Sequence, residues 1–260
     1  MTDILRQLAD AASERVAHSS VSREEMRRAA EAMGSDTGFP FEAALRRSGV
    51  SFICEVKKAS PSKGVICEDF DPVAIAREYD SAGADCISVL TEPTRFLGDV
   101  SYLREISGVV SCPLLRKDFI VDDYMIYEAK VCGASAVLLI VSILNDDELR
   151  RFISLCDRLG MSALVEVHGQ EELERALSCG ARVVGINNRD LRDFSVDLGN
   201  SVALGAGVPD DIVLVAESGI STHGDVMRMA SAGADAVLVG EALMRSDDKA
   251  ATLGELRYGE

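Results

Sequence analysis

Tryptophan is absent from this chain, aromatic residues make up only 5% of it, and histidine occurs three times, at His18, His168 and His223. With so few rings, the core of a 260-residue chain that is 47% hydrophobic has to be built from Ala, Val, Ile and Leu, the palette of buried parallel strands and packed helices. The histidines lie far apart in none of the usual ligand motifs, and the seven cysteines include no CxxC pair, so a metal centre is not expected. Being odd in number, the cysteines read instead as small core residues in a reducing compartment. Basic charge is short as well: 27 Lys and Arg face 43 Asp and Glu, a net charge of -16 that argues against nucleic acid or an anionic membrane as partner. No apolar run reaches the roughly 18 to 20 residues that span a bilayer; residues 131–144 come nearest and are interrupted by Gly133, Ser135 and Ser142. The N-terminal MTDILRQLADAASERV lacks the apolar stretch and cleavage site of an export signal, and a cytoplasmic location is expected.

What the chain does have is a repeat. AGADCISVL from Ala82, CGASAVLLI from Cys132, CGARVVGIN from Cys179 and AGADAVLVG from Ala232 start 50, 47 and 53 residues apart, and each closes a helix with Gly and enters a strand. One period is too long for a single βα unit and fits two. The intervening strands are FICEVKK from Phe52, PLLRKDF from Pro113, SALVEVH from Ser162 and IVLVAES from Ile212, with helical patterns between them. Eight alternating units in about 210 residues indicate a (β/α)8 TIM barrel. A doubly wound open sheet is the second choice, and no dinucleotide GxGxxG follows the first strand to support it. Residues 1–51 form an N-terminal helical extension and residues 52–260 the barrel, together one structural domain. Within the extension, residues 4–16 and 22–33 read as amphipathic helices, the second opened by a capping box of Ser22 and Glu25. They either cover the bottom of the barrel or lean toward its mouth.

In such a barrel the functional groups gather at the C-terminal strand ends. Those ends read Glu55, Lys57 and Ser60; Thr91 and Glu92; Lys117, Asp118 and Phe119; Glu166 and His168; Asn187, Asn188 and Arg189; Glu217 and Ser218; and Gly240 and Glu241. Residues two apart on a strand share a face, so Glu55 and Lys57 point together into the barrel. A single charge at such a position is as readily a surface group. The recurrence of both signs around one rim is not, because an interior this charged needs a ligand or a network to balance it. Lys57, Lys58, Lys63, Arg116, Lys117 and Arg189 fall at strand ends, so this acidic protein is expected to hold a local positive pocket. The turns at Ser218-Gly219 and Gly240-Glu241 offer backbone N–H groups near helix starts, where barrels commonly hold phosphate, with Lys57 facing them.

The ordered segments EVKKASPSKG at Glu55, SVLTEPTRFLG from Ser88, LLRKDFI from Leu114, ALVEVH from Ala163, GINNRDL from Gly185, AESGI from Ala216 and LVGEALM from Leu238 resemble the indole-3-glycerol phosphate synthase family through nearly every βα unit. The resemblance implies ring closure, decarboxylation and dehydration of 1-(2-carboxyphenylamino)-1-deoxyribulose 5-phosphate, a step of tryptophan biosynthesis, with no metal or organic cofactor. It implies Lys117 as the acid at the substrate carbonyl, Glu166 as the base, and Lys117 or Lys57 as the acid at the leaving hydroxyl. Glu55 and Glu217 would keep the lysines protonated and oriented. Ser60, Asn187 and Arg189 would meet the anthranilate carboxylate, Phe119 and Leu138 the aromatic ring, and Lys57 with the backbone at Ser218, Gly219, Gly240 and Glu241 the phosphate. Glu241 is tolerable there only if its side chain turns away.

The nearest rival is another phosphosugar barrel, such as a phosphoribosyl isomerase, which would share the phosphate turns but not the lysine and carboxylate set and would release no carbon dioxide. A barrel that only binds an anionic ligand is the rival from a different class. No second catalytic domain is expected after Glu260, so a single activity is expected, and a monomer is compatible with the sequence, which does not encode oligomeric state.

Overall fold

The computed structural model describes residues 3–190 and 193–259; Leu191, which ends the GINNRDL segment, lies outside the described residues. Eight parallel strands close a barrel in chain order: β1 (Ser51–Val56), β2 (Cys86–Leu90), β3 (Leu114–Lys117), β4 (Ala136–Ile140), β5 (Ser162–Val167), β6 (Val183–Asn187), β7 (Val213–Glu217) and β8 (Ala236–Val239). Closure is visible at Cys54 of β1, which lies beside Val239 of β8 on one side and Ile87 of β2 on the other. The first strand starts at Ser51, one residue before the expected boundary.

Each strand is buried along nearly its whole length because one face packs inside the barrel and the other against the surrounding helices. The glycines of the four repeats, Gly83, Gly133, Gly180 and Gly233, all take φ between 83° and 91° just past a helix end, the left-handed turn that reverses the chain into the next strand. Between the repeats, helix starts are set by side-chain caps, as where Asp71 accepts from the N–H groups of Val73 and Ala74 ahead of Pro72. Among the described residues no helix is long and apolar enough to cross a membrane.

Of the two positions the sequence left open, the first helix takes the mouth, and a third helix closes the opposite end. Helix α1 (Asp3–Ala17) lies at the C-terminal mouth, where Leu5 and Leu8 are buried and Arg15 pairs with Asp118 just past β3. Helix α2 (Arg23–Ala32) has the expected capping box of Ser22 and Glu25 and runs along the helix Asp123–Val131, with Arg23 paired to Asp122 at 2.6 Å. Helix α3 (Pro40–Leu45), a turn and a half absent from the sequence reading, closes the opposite end: its Ala44 carbonyl accepts from Ser51 Oγ at the start of β1, and Glu42 pairs with Arg182 ahead of β6.

Candidate active site

Strand alternation decides which of the rim charges enter the barrel. On β3, Lys117 points inward, whereas Arg116 points out toward the helices; Asp118, just past the strand, borders the cavity and is tied to Arg15, Thr91 and Arg116. Arg116 therefore does not join the positive pocket expected of it. It is 2% exposed on the outer face, bonded to Glu128, Asp118 and the Met125 carbonyl. Lys58 also stays outside the cavity, and Lys57, Lys63, Lys117 and Arg189 line it.

That cavity has a volume of about 660 Å³, within the range of roughly 300–1,000 Å³ typical of small-molecule sites. Its wall contains most of the residues the sequence put forward, Glu55, Lys57, Ser60, Lys117, Asp118, Phe119, Leu138, Glu166, Asn187, Arg189, Glu217, Ser218, Gly219, Gly240 and Glu241, but not His168 or Asn188. Thr91 and Glu92 from the end of β2 do not reach it. Thr91 donates to Asp118, and Glu92 accepts from the N–H groups of Thr94, Arg95 and Phe96, ordering the loop that presents Phe96 to the cavity beside Phe119.

At the centre, Lys117 Nζ stands 3.2 Å from Glu166 Oε2 and 3.2 Å from Glu217 Oε2. Lys57 makes its own ion pair with Glu55 on β1. Burial pushes the Lys117 amine down, but Glu217, Glu166 and Glu55 together outweigh it and hold the ammonium above the ordinary lysine value. The two carboxylates that share Lys117 are not equivalent. Burial alone would raise Glu166, yet Lys117, His168 and a hydrogen bond from Asn187 hold it below the usual carboxylate range. Burial pushes Glu217 up to about 7, with Lys117 pulling down and Glu166 pushing further up, and its Oε1 is sealed from solvent without a hydrogen-bond partner. One lysine thus stands between a carboxylate pulled below its ordinary value and one pushed above it.

Two glycines make room for this arrangement. A Cβ at Gly185 would collide with Glu217 Oε1, and one at Gly240 would collide with Glu55 Oε2 and come within 2.8 Å of Lys57 Nζ. Gly240 therefore serves the Glu55–Lys57 pair in addition to any part in binding an anion. Ser218 and Gly219 both take positive φ, 67° and 82°, and the turn is anchored by Asn188, whose amide donates to the Ser218 carbonyl at 3.2 Å. The Glu241 side chain does turn away, toward Arg245 at 3.1 Å and Lys63 at 3.6 Å.

The raised carboxyl gives a test with a definite sign. Glu217 has a folded value above its ordinary 4.5, so it favours folding below that value, and the contribution is lost as pH rises through about 7. Glu217→Gln, which mimics the protonated form, should therefore lose less thermal stability than the parent between pH 5.5 and 8.5. Equal losses would show that Glu217 titrates normally.

The sequence reading missed the contribution of α1. Ile4, Leu5 and Leu8 line the cavity, and the apolar spacing of Ile4, Leu5, Leu8 and Ala12 was the signal that this helix has a face to bury.

A closed (β/α)8 barrel with two lysine–carboxylate pairs facing a cavity at its C-terminal mouth has the architecture of a barrel enzyme. The indole-3-glycerol phosphate synthase family model matches residues 3–256, and the chain belongs to that family. It is 53% identical over 219 residues to the indole-3-glycerol phosphate synthase of Lachnoclostridium phytofermentans, covering 84% of this chain and 81% of that one. With the enzyme of the same name from Lactiplantibacillus plantarum it shares 50% identity over 257 residues, 98% of each. Among solved structures, a thiamine phosphate pyrophosphorylase from Pyrococcus furiosus is similar with a TM-score of 0.60 at 18% identity, covering 83% of this chain and 95% of that one, a likeness of fold alone.

Proposed function

We propose that this carboxy-lyase closes the indole ring of its substrate, 1-(2-carboxyphenylamino)-1-deoxyribulose 5-phosphate, between Lys117 and Glu166. The observation that carries the assignment is the Lys117 ammonium held between two carboxylates whose proton affinities are pushed apart, an arrangement suited to separate acid and base roles.

The ring carbon that bears the carboxylate attacks the ketone carbon, and a C–C bond forms as Lys117 protonates the oxygen to a hydroxyl. Loss of carbon dioxide returns its bonding electrons to the benzene ring and restores aromaticity. The hydroxyl then leaves as water with a proton from an ammonium group, Lys117 or Lys57, and Glu166 takes the carbon-bound proton of the new five-membered ring. Glu217 and Glu55 hold Lys117 and Lys57 in place. Phe119 and Leu138, with Leu5 and Leu8 of α1 above, offer the apolar end for the benzene ring, while Ser60, Asn187 and Arg189 suit its carboxylate. The phosphate end is read at Ser218, Gly219, Gly240 and Glu241 with Lys57, and the outward turn of the Glu241 carboxylate supports that reading.

The test follows indole fluorescence after mixing the protein with this substrate in buffer containing EDTA. Glu166→Gln should lower kcat by about 10²-fold or more, the usual scale for a lost general base, with KM little changed. Turnover at the parental rate in that variant would remove Glu166 from the mechanism. Absence of carbon dioxide release in the parent would point instead to an isomerase.

A further inference from the structure

His168 follows directly on the end of β5, two residues past Glu166, and the roles assigned above leave its imidazole unused. Glu172, in the first turn of the helix Gln170–Ser178, accepts from the main-chain N–H of His168 at 2.8 Å and lies 3.3 Å from ring Nδ1. That double hold fixes the plane of the ring and favours a proton on Nδ1. The other nitrogen, Nε2, is sealed from solvent, makes no hydrogen bond among the described residues, and stands 3.5 Å from Glu166 Oε1. Lys117 approaches the opposite oxygen, Oε2, at 3.2 Å. Glu166 therefore lies between two basic groups, only one of which has work to do on the substrate.

We propose that His168, clamped by Glu172, is a positioning residue that supplies the countercharge of Glu166 when Lys117 turns to the substrate. The inference rests on the reading of Glu166 as base and Lys117 as acid. Once Lys117 has handed over its proton, Glu166 is a buried anion beside Glu217, and without a second cation it would take up a proton itself and cease to be a base. The groups facing Glu166 are Lys117 on β3, His168 just past β5, Asn187 on β6 and Glu217 on β7. Those facing His168 are Glu172, Glu166 and Glu217, with the Asn200 amide directed at its carbonyl. Burial pushes the imidazole down, but these carboxylates prevail and hold it above the ordinary histidine value.

A base works only when ionised, so turnover falls as pH drops through the Glu166 value, and removing a neighbouring cation raises that value. In His168→Gln the acid limb of the kcat profile should therefore move up by about one pH unit, the low end of the effect of a nearby opposite charge. That shift reads as a loss of kcat that approaches tenfold only on the acid limb, at pH below the Glu166 value, and vanishes toward pH 8.5, with KM changed less than about twofold. Glu172→Gln should move the limb in the same direction by less. A limb that superimposes on the parent's overturns the proposal, as does an equal loss at every pH accompanied by a lower melting temperature, which marks a purely structural role. Should His168→Gln fail to fold, Glu172→Gln decides alone, and an unmoved limb there overturns it. Parental turnover in Glu166→Gln would instead sink the underlying assignment of the base, whatever His168 does.

Discussion

Lys117→Met should lower kcat by about 10³-fold, within the span of roughly 10² to 10⁴ seen when a general acid is lost, while leaving the barrel closed. The side chain is close in length to lysine and fills the same inward position on β3, but it brings neither proton nor charge. Two carboxylates that stand 3.2 Å from the ammonium then lose their shared cation, and both rise in proton affinity. The sign of the stability change follows. A carboxyl with a raised folded value favours folding below its ordinary value and loses that contribution as pH rises, so the gap in melting temperature between parent and variant should be wider at pH 8.5 than at pH 5.5. Lys117→Arg separates the two effects, because a guanidinium keeps the positive charge yet does not give up its proton near neutrality. It should recover most of the stability and almost none of the turnover. Indole fluorescence and thermal unfolding measure both, and a Lys117→Met enzyme within tenfold of the parental kcat would exclude Lys117 as the acid.

The barrel was legible because its repeat is written in residues with few alternatives. A Gly at the end of a helix followed by Ala and an apolar run leaves the chain little choice but a left-handed turn into a strand, and Gly83, Gly133, Gly180 and Gly233 all make that turn. The candidate site was legible for a related reason, since the fold brings one end of every strand to one cavity. Arg116 shows where reading strand ends as a plain list fails: with Lys117 facing inward, period two sends Arg116 outward, and the same rule applied within β3 would have placed it. Other features depend on contacts that no local pattern carries. Helix α3 is six residues long, starts from Phe39 at a φ of 49° and has no side-chain cap, so Pro40 at its first position and Glu42 in its first turn mark it only weakly. The inequality of Glu166 and Glu217 comes from His168 and Asn187 on one and a closed-in oxygen over Gly185 on the other. Both carboxylates end an apolar strand and look alike in sequence.

Asp118→Ala should cost about 3 kcal/mol of stability at pH 7, the scale for breaking a buried ion pair from one side. The carboxylate is fully buried and accepts from Arg15 at 2.7 and 3.2 Å, Thr91 Oγ1 at 2.6 Å, Arg116 at 3.3 Å and the Phe119 N–H at 2.9 Å. Burial pushes its proton affinity up, but Arg116, Arg15 and these hydrogen bonds prevail and hold it below the usual carboxylate range. With a depressed folded value, its contribution is present above the unfolded value of about 3.9 and is lost as pH falls through the folded one, so parent and variant should converge below about pH 4. Removing the carboxylate leaves Arg116 buried with Glu128 as its remaining acidic partner, and it frees Arg15, whose helix carries Leu5 and Leu8 over the cavity. Asp118 also sits between Lys117 and Phe119 in the chain, so its loss loosens the acid and the aromatic wall together. Denaturant unfolding at pH 7 reads the first effect, and KM for the carboxyphenylamino substrate, expected to rise severalfold, reads the second. A loss of stability below about 1 kcal/mol would mean that Arg116 and Arg15 are satisfied without it. An unchanged KM would mean that α1 keeps its place over the cavity through Leu5 and Leu8 alone, with the Arg15 tie contributing to folding and not to the site.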